Sequence, residues 1–301
     1  MSTDICERAP TAPPTNPKAP PMLRIAVPNK GSLAETATEM LAEAGYTGRR
    51  DPKDLHVIDP VNDVEFFYLR PKDIATYVGS GALDVGITGR DLLRDARMPG
   101  AREVEALGFG GSTFRFAGRP GRFAELADLD GVRVATSYPG LVDGFLDERG
   151  IAVDLVPLDG AVESAVQLGV ADAVADVVST GTTLRQAGLE IFGPVILESE
   201  AVLITGPSEA DGAETLLRRL RGVMVARRYV MVDYDLPAAL VDEAVKIAGG
   251  VESPTISPLR DPEWVAVRVM VARGEVNQVM DALYALGARA ILVTAIHNAR
   301  I

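Results

Sequence analysis

The most constraining part of the chain runs from Glu163 to Leu189 and reads E-S-A-V-Q-L-G-V-A-D-A-V-A-D-V-V-S-T-G-T-T-L-R-Q-A-G-L. Its pattern predicts a helix through Leu168, a strand over Ala171–Val178 and a second helix opened by Ser179–Thr183. Ala173, Val174, Ala175, Val177 and Val178 are nearly continuously apolar, as expected of a parallel-sheet strand covered on both faces. A hydroxyl-rich loop between such a strand and a helix leaves backbone N–H groups free. With the positive end of the helix dipole, they form a site for phosphate. Gly181 lets the backbone approach an anion closely, and the neighbouring Ser and Thr hydroxyls add donors. Asp176 lies just before the loop, where it can accept a sugar hydroxyl or face a metal ion. The same letters also suit an ordinary helix cap, because Ser and Thr are favoured N-cap residues.

The rest of the chain reads as an alternation of strands and helices, which implies α/β architecture with a parallel sheet. Residues 1–21 are rich in proline and are expected to form a disordered leader rather than a signal peptide. Leu23–Asn29 reads as a first strand. Ser32–Glu35 has the letters of a capping box for a helix ending near Ala44. Lys30 falls on the loop between them, at the carboxyl end of a strand, where open α/β folds bind ligands. Strands are expected at Leu55–Ile58, Glu65–Leu69 and Leu83–Gly89, with a helix from Pro71 to Val78. Arg70, Lys72 and Arg90 are the local cations available to phosphates. Gly79–Gly81 lacks Rossmann spacing and no Walker loop occurs, so a nucleotide would be held otherwise.

Strand-like runs at Val104–Gly108 and Ser112–Ala117 flank Gly110-Gly111, where the chain is expected to cross into a second lobe. Val132–Ser137, Leu141–Glu148, Val153–Leu158 and Ala161–Leu168 continue the alternation there, and Val195–Thr205 can carry the chain back. The expected division is 22–111, completed by about 195–207, then 112–194, then 208–301. After a helix over Glu209–Arg227 the order becomes βαββαβ, the ferredoxin-like pattern of small regulatory domains. Val265, Val267, Val269 and Val271 alternate with Ala266, Arg268 and Met270, as in a sheet with one more exposed face. An extra packing or oligomerisation domain would read the same way.

Composition removes several functions. The 301 residues carry a net charge of −12, which argues against a nucleic-acid surface. No apolar run is long enough to span a bilayer. One cysteine, Cys6, excludes an internal disulfide and a cysteine metal cluster, and His56 and His297 leave little for a histidine metal site or a Ser-His-Asp triad.

Glu163, Gly169 and V-A-D-A-V-A-D-V-V-S-T-G-T-T-L, with P-N-K-G at Pro28–Gly31 and T-G-R-D at Thr88–Asp91, resemble the ATP phosphoribosyltransferase family. The resemblance runs from Met22 to Ile301. It implies a two-lobed catalytic core like the type-II periplasmic-binding proteins, followed by a ferredoxin-like histidine-binding regulatory domain. The implied reaction moves phosphoribose from phosphoribosyl pyrophosphate (PRPP) to N1 of ATP and releases pyrophosphate, with Mg²⁺, as the first step of L-histidine biosynthesis in the cytoplasm. Family likeness also implies a homo-oligomer, dimer and hexamer, with no nucleic-acid or membrane partner.

By the same resemblance Thr180, Gly181, Thr182 and Thr183, with Ser179 beside them, take the ribose 5′-phosphate. Asp176 and Glu163 are candidates for the ribose and metal side, although a solvent-facing helix residue explains Glu163 equally. Lys30, Arg70 and Arg90 are set against pyrophosphate or ATP phosphates. Tyr138 in S-Y-P-G can stack on adenine or pack on its own lobe, and Asp91 can contact a nucleotide or cap its helix. For feedback by L-histidine, D-Y-D-L-P, V-E-S-P-T-I and A-R-A-I-L point to Asp235, Ser253, Thr255 and Ala290, with helix capping as the competing reading of Asp235. The rival functions are a non-catalytic bilobal solute-binding protein, a different PRPP-dependent transferase and a silent regulatory relative. Many other PRPP transferases put two adjacent acids before a T-G loop, whereas Val177 follows Asp176 here.

Overall fold

A computed structural model describes residues 22–300; the proline-rich leader expected at 1–21, with Cys6, lies outside them. The first part of the chain forms β1 (Leu23–Pro28), α1 (Ala34–Glu43), β2 (His56–Asp59) and β3 (Val64–Leu69). It continues through α2 (Pro71–Gly79), β4 (Val85–Gly89), α3 (Arg90–Ala96) and β5 (Arg102–Ala106). Next come β6 (Ser112–Gly118), β7 (Arg133–Thr136), α4 (Pro139–Asp147) and β8 (Asp154–Pro157). They are followed by α5 (Ser164–Gln167), β9 (Ala173–Val178), α6 (Thr182–Gln186), β10 (Glu190–Ser199) and β11 (Ala201–Thr205). The chain ends with α7 (Ala213–Arg228), β12 (Tyr229–Pro237), α8 (Val241–Ile247), β13 (Thr255–Pro258), β14 (Trp264–Ala272), α9 (Val276–Leu286) and β15 (Arg289–Ala295).

Three sheets result, in the orders β2-β3-β1-β4-β11-β5, β10-β6-β9-β7-β8 and β13-β14-β12-β15. The period of two along a strand feeds a separate apolar layer on each face. Ile25 and Val27 of β1 and Leu203 of β11 join Met40 of α1 and Leu216, Leu220 and Val223 of α7. Ala26 and the alternate β11 residues Val202 and Ile204 pack instead with Ile74 and Val78 of α2 and Leu93 of α3. In the second sheet, Ala173 and Ala175 of β9 meet Val142 and Leu146 of α4, while Val174 and Val178 meet Val166 and Leu184 on the opposite face. Strand β9 is thus covered on both faces. The C-terminal sheet buries Val232, Tyr234, Val267 and Val269 against Ala244 of α8 and Leu283 of α9 and leaves its other face open.

The first two sheets are mixed rather than uniformly parallel as the alternation suggested, and the C-terminal sheet is antiparallel throughout. β1 runs parallel to β3 and β4, and β7 parallel to β8 and β9. The connecting strands run antiparallel: β11 against β4 and β5, and β6 against β9 and β10. These strands enter directly from the other sheet, so no crossover helix turns them into parallel register. Other boundaries also moved. The expected strand Val195–Thr205 is two strands meeting at Glu200, one in each sheet. The letters of the Ser32 capping box do not form one, since Leu33 occupies the N-cap without a side-chain bond. The helix expected from Ala161 shrinks to Ser164–Gln167, because Ala161 and Gly169 adopt left-handed φ of 49° and 72° on either side of it.

Helix α7 fastens the C-terminal unit to the first sheet. Arg227 makes two bonds to the Glu43 carboxylate at 2.8 and 3.0 Å, and Arg219 donates to Asn62 at 2.6 Å. Leu220 is fully buried in this seam. Leu220→Ala is expected to cost about 2–5 kcal/mol, read as a lower denaturant midpoint. Leu168→Ala, at a position 76% exposed, should stay within about 0.5 kcal/mol.

Candidate active site

The loops beyond the carboxyl ends of strands from both sheets open on one cleft of about 540 Å³. Lys30 reaches it from the end of β1, Arg70 and Lys72 from the end of β3, and Asp91 from the end of β4. From the second sheet, Ser137 and Tyr138 follow β7, Asp159 and Gly160 follow β8, and Ser179 follows β9. Cations thus come from one sheet and hydroxyls largely from the other. Lys72 already spans the gap, with Nζ donating to the Ser137 carbonyl at 3.2 Å.

The loop after β9 is built as an exposed cradle. Gly181 is the N-cap of α6 with φ 71°, a left-handed conformation that glycine adopts without strain. Ser179, Thr180, Thr182 and Thr183 are exposed, and no side chain caps the helix. The Thr180 and Thr182 hydroxyls lie 3.0 Å apart, and Arg185 donates to the Thr180 carbonyl at 2.9 Å. Only Ser179 of this loop lines the main cleft; Thr180, Gly181, Thr182 and Thr183 are outside its lining. Arg185, which the sequence reading passed over, brings a cation to the hydroxyls. Its signal was its place three residues after Thr182, on the same face of one helical turn.

An acidic wall stands at the cleft: Asp91 lines it, whereas Asp176 and Glu163 are outside its lining residues, with Asp176 close to both Asp91 and Glu163. Asp176 is half-buried, and its Oδ1 accepts the Val177 amide at 2.8 Å. Burial pushes its carboxyl up to about 6, and the charges of Glu163 and Asp91 add to the shift. Burial likewise raises Asp91, whose amide donates to Ser199 Oγ at 3.1 Å and whose Oδ1 accepts the Leu92 amide at 2.9 Å. The Tyr138 phenol faces this wall and is raised by burial and then by Asp91, Asp176 and Asp95. Its ring packs edge-on against Phe114 at 5.1 Å. Tyr138 therefore packs on its own lobe and borders the cleft as well. Among the described residues no three acidic, histidine or cysteine side chains converge closely enough to hold a metal by themselves.

Arg90 is placed differently from its expected role as a free cation. Its guanidinium bonds Glu103 at 2.8 Å, Glu200 at 3.4 Å and the Glu198 carbonyl at 3.2 Å. It borders an adjoining pocket of about 520 Å³ rather than the main cleft, with its charge already answered by two carboxylates. Glu200 and Ser199 were missed because they sit in the middle of what reads as one apolar strand.

A second pocket of about 390 Å³ lies on the open face of the C-terminal sheet. It gathers Asp235 from β12, Thr255 from β13 and Ala290 from β15, and adds Asp233, Ser257 and Arg268. Ser253 is outside its lining. The register between β12 and β15 shifts between Asp233 and Asp235, and Ala290 opposite takes a left-handed φ of 49°. Arg268 pairs with Asp233 at 2.6 Å directly across the strands.

The acidic wall has a measurable consequence. A carboxyl titrating at about 6 instead of 3.8 binds its proton more tightly in the folded chain, so ionisation costs stability as pH rises through that interval. Asp176→Asn removes this cost. At about pH 7.5 the variant should be more stable than its parent by up to about 2–3 kcal/mol, and the gain should vanish below about pH 4. Unfolding midpoints across that range check both the sign and the window.

Residues 70–222 match the family described as HisG: ATP phosphoribosyltransferase, and residues 226–298 match HisG, C-terminal domain. The ATP phosphoribosyltransferase of Pseudarthrobacter chlorophenolicus is 61% identical over 285 residues, covering 93% of this chain and 100% of the relative. That of Streptomyces coelicolor is 58% identical over 287 residues, with the same coverage. Among solved structures, the ATP phosphoribosyl transferase (HisG:HisZ) complex from Thermotoga maritima superposes with a TM-score of 0.58 at 26% identity, covering 66% of this chain and 97% of that one. With both family descriptions matched in a single chain and relatives of this identity along most of its length, the protein belongs to the long-form ATP phosphoribosyltransferase family.

Proposed function

We propose that this cleft transfers phosphoribose from PRPP to N1 of the adenine of ATP and releases pyrophosphate, opening L-histidine biosynthesis. The observation that supports this best is the gathering of Lys30, Arg70 and Lys72 with Asp91 and Ser179 in one cleft at the carboxyl ends of two sheets. The rest of the hydroxyl-rich loop follows Ser179 in sequence, and Asp176 is close to Asp91. Ser179, Thr180, Gly181, Thr182 and Thr183 take the ribose 5′-phosphate, with Arg185 supplying charge. Adenine N1 forms a bond to the anomeric carbon while the bond to the pyrophosphate oxygen breaks. Positive charge grows on the sugar, where Asp176 and Glu163 stabilise it, and negative charge grows on the leaving group, where Lys30 and Arg70 meet it. Asp91 and Tyr138 form the side of the cleft assigned to ATP. Arg90 serves as a strut for that wall rather than as a phosphate ligand.

Mg²⁺ fits the donors present. It is usually held by one or two carboxylates with substrate phosphates and water, and Asp176 and Glu163 repel each other in the absence of a countercharge. Once bound, the ion supplies positive charge for the departing pyrophosphate. We assign 22–111 with 195–207 and 112–194 to the catalytic core, and 208–301 to regulation. No helix among the described residues is long and apolar enough to cross a membrane, and a biosynthetic role is in keeping with the cytoplasm. Leu292 is exposed on the open face of the C-terminal sheet, and Val293 and Ile256 are exposed on its edge strands β15 and β13, consistent with cover by further copies in a dimer and hexamer.

The C-terminal pocket suits L-histidine: Asp235 meets the amino group or imidazole, Thr255 a polar atom, and Ala290 the wall. Ser253 is left in that assignment only as a neighbour of the β13 strand. Such binding inhibits by favouring a less active global state.

The reading is tested by product formation with ATP, PRPP and Mg²⁺. Phosphoribosylated ATP and pyrophosphate should appear only when both substrates are present, and folded protein yielding neither would remove the proposal. Lys30→Ala should lower kcat/KM by about 10²-fold, the usual scale for losing a group that faces developing charge. Asp235→Ala should keep turnover while histidine inhibits less; unchanged inhibition would remove Asp235 from that site.

A further inference from the structure

We propose that Asp95 is a positioning residue that reaches from the first lobe to cap a helix of the second, thereby holding Ser137 and Tyr138 in the cleft. The first amides of a helix have no partner within it. Helix α4 starts with Pro139, which has no N–H to satisfy, and Tyr138 at its N-cap gives no side-chain bond. Its next two amides, those of Gly140 and Leu141, both donate to Asp95 Oδ1, at 2.8 and 3.2 Å. The cap therefore comes from α3, on the other side of the cleft.

The contact is closely built. A Cβ at Gly140 would strike the Asp95 main-chain oxygen, so the two helices approach this nearly only because residue 140 is glycine. Just beyond α3, Arg97 adopts a left-handed φ of 45° and pairs with Asp143 of α4 at 2.9 Å. Its guanidinium also lies against Gly144, where a Cβ would come within 2.9 Å.

Spacing explains what the contact does. Asp91 and Asp95 are four residues apart and share one face of α3. Asp91 faces the Tyr138 phenol, and Asp95 holds the two amides that follow Pro139. One helix face thus grips the Tyr138–Leu141 segment, at the Tyr138 side chain and at the Gly140 and Leu141 backbone. Lys72 at the Ser137 carbonyl and the Gly160 amide at Ser137 Oγ, 3.0 Å away, hold the preceding residue. Loss of Asp95 frees the segment to move with the second lobe, away from Asp91.

The inference rests on the assignment of Tyr138 to the ATP side of the cleft. Steady-state kinetics and thermal midpoints of the full-length Asp95→Ala, Asp95→Asn, Gly140→Ala and Tyr138→Ala proteins test both. Asp95→Ala should raise KM for ATP about fivefold or more, the factor expected for a lost helix cap, with KM for PRPP unchanged. Asp95→Asn, whose Oδ1 can still accept both amides, should stay near wild type. Gly140→Ala, which keeps Asp95 but parts the helices, should resemble Asp95→Ala and serves if that variant does not fold. Wild-type KM values in Asp95→Ala or Gly140→Ala, equal impairment in Asp95→Asn, or a joint rise of both KM values that follows a lower midpoint would overturn the proposal. If Tyr138→Ala leaves KM for ATP unchanged, the assignment of Tyr138 fails; if it raises KM while Asp95→Ala does not, only the positioning role fails.

Discussion

The site depends on a charge placed where burial makes it costly. Strand β9 is apolar on both faces, because α4 covers one side and α5 with α6 the other. Near its carboxyl end the same strand carries Asp176, half-buried and next to further acids. A carboxylate in that position resists ionisation and attracts any positive charge that arrives. On the function proposed above, such an environment suits a reaction that creates positive charge on a sugar. The flanking glycine at 181 then turns the backbone so that the following hydroxyls and amides remain available.

An acidic protein that handles polyanions must also ration its cations. The net charge is −12, yet Lys30, Arg70 and Lys72 lie together at the first sheet's strand ends. Arginines in other parts of the fold are paired with carboxylates: Arg90 with Glu103 and Glu200, Arg24 with Asp84, and Arg227 with Glu43. Among the described residues Lys30, Arg70 and Lys72 are exposed and in no ion pair, with Lys72 on the Ser137 carbonyl. Ion pairs that are partly shielded from water, such as that of Arg90, are disturbed less by salt than exposed ones.

Two lobes joined through strands need something to set their separation. The crossing near Gly110-Gly111 and the junction at Glu200 form hydrogen-bonded neighbours, with the Ala201 amide on the Phe109 carbonyl at 2.9 Å and the Glu200 carboxylate on the Gly108 amide at 3.0 Å. That pairing makes the hinge a narrow ribbon rather than two independent linkers. The α3–α4 contact is a further tie away from the hinge, so the cleft is bounded by covalent connections on one side and by packing and capping on another. A ligand between them works against groups whose distances are already limited, which reduces the ordering cost of binding.

Much of this was legible in the letters. The period of two and the doubly apolar run at Ala173–Val178 specify strands with one or two buried faces, because these follow from local geometry, and glycine at 181 permits the left-handed turn that the structure shows there. The loop positions of Lys30, Arg70, Asp91, Tyr138 and Ser179 followed from the same alternation, since a strand's carboxyl end is visible in sequence. What the sequence could not settle is which distant charges meet. Arg90 looked as free as Lys30 until the fold brought Glu103 and Glu200 to it, and Asp95 resembled any helical acid until α4 arrived with open amides. Local sequence determined the strands, turns and donor chemistry; tertiary structure alone decided which donors were consumed, because electrostatic and hydrogen-bonding partners are chosen by distance in space.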